Sequence, residues 1–122
     1  MPAEKIRKYT KDEYMEMIGS AINKITQNKC LIIFFGSILT DRFDRTSDID
    51  VGIYCKEPIS GEVYSEILEE IDKLPMLREV DIVDISKIKD KQFLKNILKG
   101  KIWINIPELM KDLQNRLINL EK

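Results

Sequence analysis

The sequence predicts an α/β (α+β) fold, a mixed β-sheet of about four strands flanked by helices. Two observations carry this. Stretches with apolar residues at helical spacing alternate along the chain with short runs rich in Ile, Val and Phe. Gly, Pro, Asn and Ser punctuate the boundaries between them. Alternation of this kind builds layers of helix on sheet. With 122 residues, the span 1–122 is expected to form a single domain.

The elements follow in order. Thr10 with Glu13 three residues on has capping-box spacing. Tyr14, Met17, Ile18, Ala21, Ile22 and Ile25 then form one apolar stripe, which predicts a helix over 11–27 ending near Asn28. Cys30 to Phe35 is apolar throughout, too short for a helix, and reads as a strand buried on both faces. A glycine turn, Gly36-Ser37, stops it. A short helical turn is expected over 38–43, with Ile38 and Leu39 inward, before a polar loop at Arg45-Thr46-Ser47.

Residues 47–54 read as a second strand. Alternation puts Asp48, Asp50 and Gly52 on one face and Ile49, Val51 and Ile53 on the other. Ser60 is placed to cap a helix over 61–74, striped by Val63, Tyr64, Ile67, Leu68 and Ile71 and stopped by Pro75. Residues 79–85 (EVDIVDI) read as a third strand, and 91–98 as a helix closed by Gly100. Residues 101–106 form a fourth strand. Pro107 opens a last helix over 108–120, with Leu109, Leu113, Leu117 and Leu120 apolar.

Bulk properties exclude several functions. Net charge is −1 and well mixed, so direct nucleic-acid binding is not indicated. No apolar run approaches the roughly 20 residues that span a bilayer, and the first residues lack an apolar export core. A cytoplasmic protein is expected, with Cys30 and Cys55 as free thiols. The chain has no histidine. Any catalysis therefore runs on carboxylates, Ser, Lys, Tyr or a hard metal ion.

Phe34 to Tyr54 carries the candidate chemistry. Gly36 lets backbone approach a ligand closely, and Ser37 adds a hydroxyl where free N–H groups would attract phosphate. Asp48 and Asp50 stand two apart on one strand face, and like charges that close are relieved by a cation such as Mg²⁺. Asp81 lies amid apolar residues in the third strand and needs a partner, either that same metal or an Arg or Lys. Simpler readings exist: two solvent-facing aspartates on an edge strand and a plain turn.

The arrangement of Gly36-Ser37, ten residues, Asp48-Ile49-Asp50, then Asp81 and Asp84 in EVDIVD resembles the DNA polymerase β-like nucleotidyltransferase superfamily. Within it, the chain looks like the minimal nucleotidyltransferase (MNT) proteins, most of 11–106 taking part, including the ILKGKIWI segment. The resemblance implies a nucleotidyltransferase fold. Gly36 and Ser37 would hold the β/γ phosphates of a nucleoside triphosphate, ATP in particular. Asp48, Asp50 and Asp81 would bind Mg²⁺ and carry catalysis, and Asp81 would help activate an acceptor hydroxyl. The family pattern favours Asp81 over Asp84, although strand parity alone leaves the choice open.

Many relatives carry Arg directly after the Gly-Ser pair and again two positions on. Here those positions are Ile38 and Thr40, and Arg42 and Arg45 would have to supply the triphosphate contacts. Relatives of this size commonly pair with a small helical HEPN-type protein as a toxin–antitoxin module. The resemblance thus implies an antitoxin that adenylylates its partner, touching it through a surface drawn from Trp103, Ile104, Ile106 and the last helix. Trp103 in the core is the competing expectation. The alternative function is a weakly catalytic or non-catalytic antitoxin that neutralises its partner by occlusion. An antibiotic-modifying transferase is disfavoured, because no substrate domain is evident.

Overall fold

Local signals set the element boundaries in the computed structural model, which describes residues 8–120. The reading of the first seven residues as lacking an export signal lies outside that range. Helix α1 spans Lys11–Thr26. The Thr10 hydroxyl accepts from the Glu13 amide at 3.1 Å, and the Glu13 carboxylate accepts from the Thr10 amide at 2.9 Å. The capping box predicted from spacing is therefore complete. Gln27 and Asn28 turn the chain with φ of 53° and 62°.

Strand β1 (Cys30–Phe35) is buried along its whole length. It pairs antiparallel with β2 (Ile49–Cys55) on one side and with β4 (Lys101–Ile104) on the other. β2 pairs in parallel with β3 (Val80–Asp84), which gives the order β3-β2-β1-β4. This is the mixed four-stranded sheet expected from the sequence.

Alternation divides β1 between two cores. Ile32 and Phe34 join Ile49, Val51 and Ile53 against Ile18 and Ile22 of α1 and Ile67 of α2 (Gly61–Asp72). Leu31, Ile33 and Phe35 pack on the other face against Leu94 and Ile97 of α3 (Lys91–Leu98) and Leu113 of α4 (Pro107–Leu120). A central strand apolar at every position is what two helical layers require. The α4 layer is fastened by polar contacts as well. The buried Tyr54 hydroxyl donates to Asp112, and Arg116 Nη2 donates to the Ser86 carbonyl at 2.8 Å. Among the described residues no helix is long and apolar enough to cross a membrane.

Several expectations are corrected. The turn after β1 is a 3₁₀ helix over Gly36–Leu39; Ile38 is buried but Leu39 is exposed. Tyr64 and Leu68, expected in the α2 stripe, are exposed, because α2 meets the core mainly through Ile67. Trp103 packs on α1: a Cβ added at Gly19 would lie 2.5 Å from its indole ring. Trp103 and Ile104 pack on the α1-side core and Ile106 on the α4 side, so the exposed apolar residue of β4 is Ile102.

The cysteines are not free. The β1–β2 register sets Cys30 directly opposite Cys55, and the two form a disulfide with Cα atoms 4.3 Å apart. Such bonds persist in oxidising compartments and inside hyperthermophiles. Closing a loop of 25 residues is worth about 3 kcal/mol through the unfolded chain. Reduction, or a Cys30→Ser, Cys55→Ser double variant, is expected to lower unfolding free energy by about that amount in urea titrations. Equal midpoints with and without reductant would contradict the pairing.

Candidate active site

The sheet register brings two of the carboxylates together. Phe35 at the end of β1 faces Asp50, and Asp50 is the parallel neighbour of Asp81. Neighbours in a sheet lie about 5 Å apart and share a face, so Asp50 and Asp81 project to the α3/α4 side. That helical layer stops at Phe93, whose ring meets Phe35 edge-on at 5.8 Å. Beyond it Asp50 is half-buried, while Asp48 and Asp81 are exposed. Asp48 itself lies one residue before β2, outside the strand ladder.

Register also separates Asp81 from Asp84. Asp84 pairs with Ile53 and points to the opposite face. Its carboxylate is engaged there, accepting from the Ile59 amide at 3.0 Å, the Ser86 amide at 3.1 Å and the Ser86 hydroxyl at 2.6 Å. Asp84 thus ties the α2 connector to the end of β3, and Asp81 is the aspartate beside Asp50.

The Gly36 turn abuts the same carboxylate. Gly36 has φ +83°, a conformation that L side chains rarely adopt, and a Cβ there would lie 2.3 Å from Asp50 Oδ2. The glycine is required both by the turn and by the carboxylate above it. Ser37 is half-buried next to it, its carbonyl accepting from the Thr40 amide and hydroxyl at 2.9 and 3.0 Å.

Electrostatics mark Asp50. Burial, then the charges of Asp81 and Asp48, raise its pKa above the ordinary carboxylate value. Among the described residues no group of three or more Asp, Glu, His or Cys side chains is placed so as to hold a metal ion. The charges of Asp81 and Asp48 both bear on Asp50, and carboxylate oxygens whose mutual repulsion a hard divalent cation would relieve are the donor type that Mg²⁺ takes.

A stability prediction follows from this shift. Asp50 holds its proton more tightly in the folded chain than in the unfolded one. Its contribution is therefore full below the unfolded carboxylate value, near pH 4, and is lost as pH rises through the raised folded value. Asp50→Asn is expected to be at least as stable as the parent at pH 7 in metal-free buffer, with the gap in urea midpoint closing towards about pH 4. A variant clearly less stable than the parent at pH 7 would contradict the repulsion.

The connector between β1 and β2 departs from expectation. Ile38, where relatives carry Arg, is 1% exposed and belongs to the core against α1. Thr40 is consumed by the turn: its hydroxyl donates to Ser37 and accepts from the Arg42 amide, and its carbonyl accepts from Lys11 Nζ at 2.6 Å. Arg42 and Arg45 are exposed, and neither guanidinium has a hydrogen-bond or ion-pair partner among the described residues.

Sequence reasoning missed Arg78. It donates from Nη1 to the carbonyls of Asp44 and of Ser47, the latter at 2.9 Å, and its Cζ lies 4.3 Å from the Phe43 ring centroid and 5.1 Å from that of Tyr14. No local pattern announces such a contact. The turn it grips was more legible, since Asp-x-Thr-Ser is an Asx-type signal. Asp44 Oδ1 accepts from the Thr46 amide at 2.8 Å and the Thr46 hydroxyl at 2.7 Å.

Solved structures share this fold. One, a toxin–antitoxin complex with AMP-PNP, superposes with a TM-score of 0.57 at 20% identity over 84% of this chain and 82% of that one. A second, the MNT antitoxin bound to a tri-AMPylated HEPN toxin of Shewanella oneidensis, gives 0.53 at 20% identity, covering 86% and 87%. A third, a substituted MntA–HpeT toxin–antitoxin, gives 0.57 at 16% identity, covering 93% and 84%. At such identities the likeness concerns the fold. No curated protein matches the sequence significantly. The family described as polymerase beta, nucleotidyltransferase matches residues 20–108, which include Gly36, Ser37 and all three carboxylates. This chain belongs to the polymerase-β nucleotidyltransferase family.

Proposed function

We propose that the chain is an Mg²⁺-dependent nucleotidyltransferase that moves AMP from ATP to a hydroxyl on a small helical HEPN-type toxin and so acts as its antitoxin. The observation that carries the reading is Asp50, set beside Asp81 in the sheet and against the Gly36 turn, with the charge of Asp48 also acting on it. Support for nucleotide and partner comes from relatives of the same fold, one holding AMP-PNP and another bound to an AMPylated HEPN toxin.

Asp48, Asp50 and Asp81 would hold the metal. Bound there, Mg²⁺ neutralises phosphate charge and lowers the pKa of a bound hydroxyl. Gly36, with no side chain, and Ser37 would receive the triphosphate, and the exposed Arg42 and Arg45 of the connector would supply its cationic contacts. The acceptor oxygen attacks the α-phosphorus. The bond to the β-phosphate oxygen breaks, pyrophosphate leaves, and Asp81 takes up the acceptor proton.

A second reading is an antitoxin that neutralises by complex formation alone. The buried Ile38 and the engaged Thr40 favour it, since neither position supplies a cation to the phosphates. One assay separates the two. The chain is co-expressed with a candidate HEPN-type partner and given Mg²⁺ and ATP labelled at the α-phosphate. Transfer predicts label on the partner. An intact complex that acquires no label establishes occlusion instead.

A further inference from the structure

We infer that Arg78 is a positioning residue that fixes Asp48 relative to Asp50 and Asp81; this rests on the metal-site reading. The three carboxylates are not held equally. Asp50 is paired on both sides, with Phe35 and with Asp81, and Asp81 is fixed by its pairing with Asp50. Asp48 precedes the ladder and has no strand partner of its own.

Its two peptide neighbours are nevertheless both tied to one dipeptide. The Ser47 carbonyl accepts from Arg78 Nη1 at 2.9 Å, and the Ile49 amide donates to the Glu79 carbonyl at 3.0 Å. Arg78–Glu79 therefore brackets Asp48 from before and after.

Arg78 is held in turn. Its guanidinium lies over the rings of Phe43 and Tyr14, which meet each other edge-on at 6.1 Å. Tyr14 belongs to α1 and Phe43 to the connector, so the cation ties helix, connector and the segment leading into β3 at one point. The Asp44–Ser47 turn is closed by its own side chains, and Arg78 grips both of its end carbonyls. These bonds join the turn to Arg78–Glu79, so the backbone carrying Asp48 is held on both sides. A lysine has neither the plane that lies on the rings nor a guanidinium's fixed donor directions.

The test uses Mn²⁺ as the probe, with affinity read by electron paramagnetic resonance and Ile49 amide exchange read by NMR. Arg78→Gln is expected to weaken Mn²⁺ binding about 10–100-fold, the usual effect of losing a residue that supports a metal ligand, and to speed exchange at Ile49. Arg78→Lys is expected to recover part of the affinity. Ser60→Ala removes the α2 cap, whose hydroxyl accepts from the Val63 amide, and is expected to lower the melting temperature without changing Mn²⁺ affinity.

Parent-like Mn²⁺ affinity in Arg78→Gln, or in Arg78→Lys should the former not fold, overturns the inference. An equal loss in Ser60→Ala also overturns it, by reducing the effect to general destabilisation. A parent chain that binds no Mn²⁺ defeats the metal-site reading. Exchange at Ile49 then decides the role of Arg78 separately: faster exchange in the variant upholds the bracket, and unchanged exchange removes it.

Discussion

Replacing Asp48 and Asp50 together by asparagine is expected to lower the proposed AMP transfer by about 10³-fold or more, the scale of losing groups that act as a unit. Each asparagine keeps the shape of the side chain and removes the charge a metal needs. The single variants are expected to cost nearly as much as the pair, because a site that has lost one carboxylate no longer orients the phosphates. Folding is not the cause of the loss. Asp50 is crowded by Asp81 and Asp48, so neutralising it relieves repulsion. Loss of activity with retained or improved stability marks a residue kept for function. The check is the labelled-ATP assay beside a urea titration of the same preparations. Transfer that persists in the double variant removes these aspartates from the mechanism.

Gly36→Ala has the second largest expected effect, through one methyl group. A residue with a side chain at φ +83° costs about 1–2 kcal/mol of backbone strain. The new Cβ would also sit 2.3 Å from Asp50 Oδ2. That oxygen ends a side chain, so the carboxylate can swing aside while the fold survives. The swing takes it out of register with Asp81. Mn²⁺ affinity is therefore expected to fall by about tenfold or more, as when a ligand loses its supporting contacts, with a stability loss of about 1–3 kcal/mol. Mn²⁺ titration and urea unfolding of the variant check both numbers. Unchanged Mn²⁺ affinity would separate the turn from the carboxylates.

Local signals were legible, and long-range ones were not. Thr10 and Glu13 state a capping box in four residues, and α1 starts where they place it. The apolar run from Cys30 to Phe35 states burial on both faces, and β1 has it. The choice between Asp81 and Asp84 needed the β2–β3 register, and no residue within β3 encodes that register. The same limit hid the disulfide. The pairing of Cys30 with Cys55 follows from that of Phe35 with Asp50, but the intervening connector is too long for hairpin rules to fix the register. Leu39 was expected inward because a helical turn was expected to start at Ile38. The turn starts two residues earlier at Gly36, which rotates Leu39 outward. Arg78 meets Tyr14 across about half of the chain, a contact with no periodicity to betray it. The family resemblance pointed to the carboxylates and the Gly-Ser turn, while the Ile38 and Thr40 departures became intelligible only as core and turn residues.

The proposed function requires Asp48, Asp50 and Asp81 to form one divalent-metal site beside Gly36. Crystals grown with Mn²⁺ and a non-hydrolysable ATP analogue test it directly through anomalous scattering. An anomalous peak is expected within coordination distance of all three carboxylates, with the triphosphate against Gly36 and Ser37. A peak elsewhere on the chain, or none among these carboxylates at saturating Mn²⁺, would contradict it.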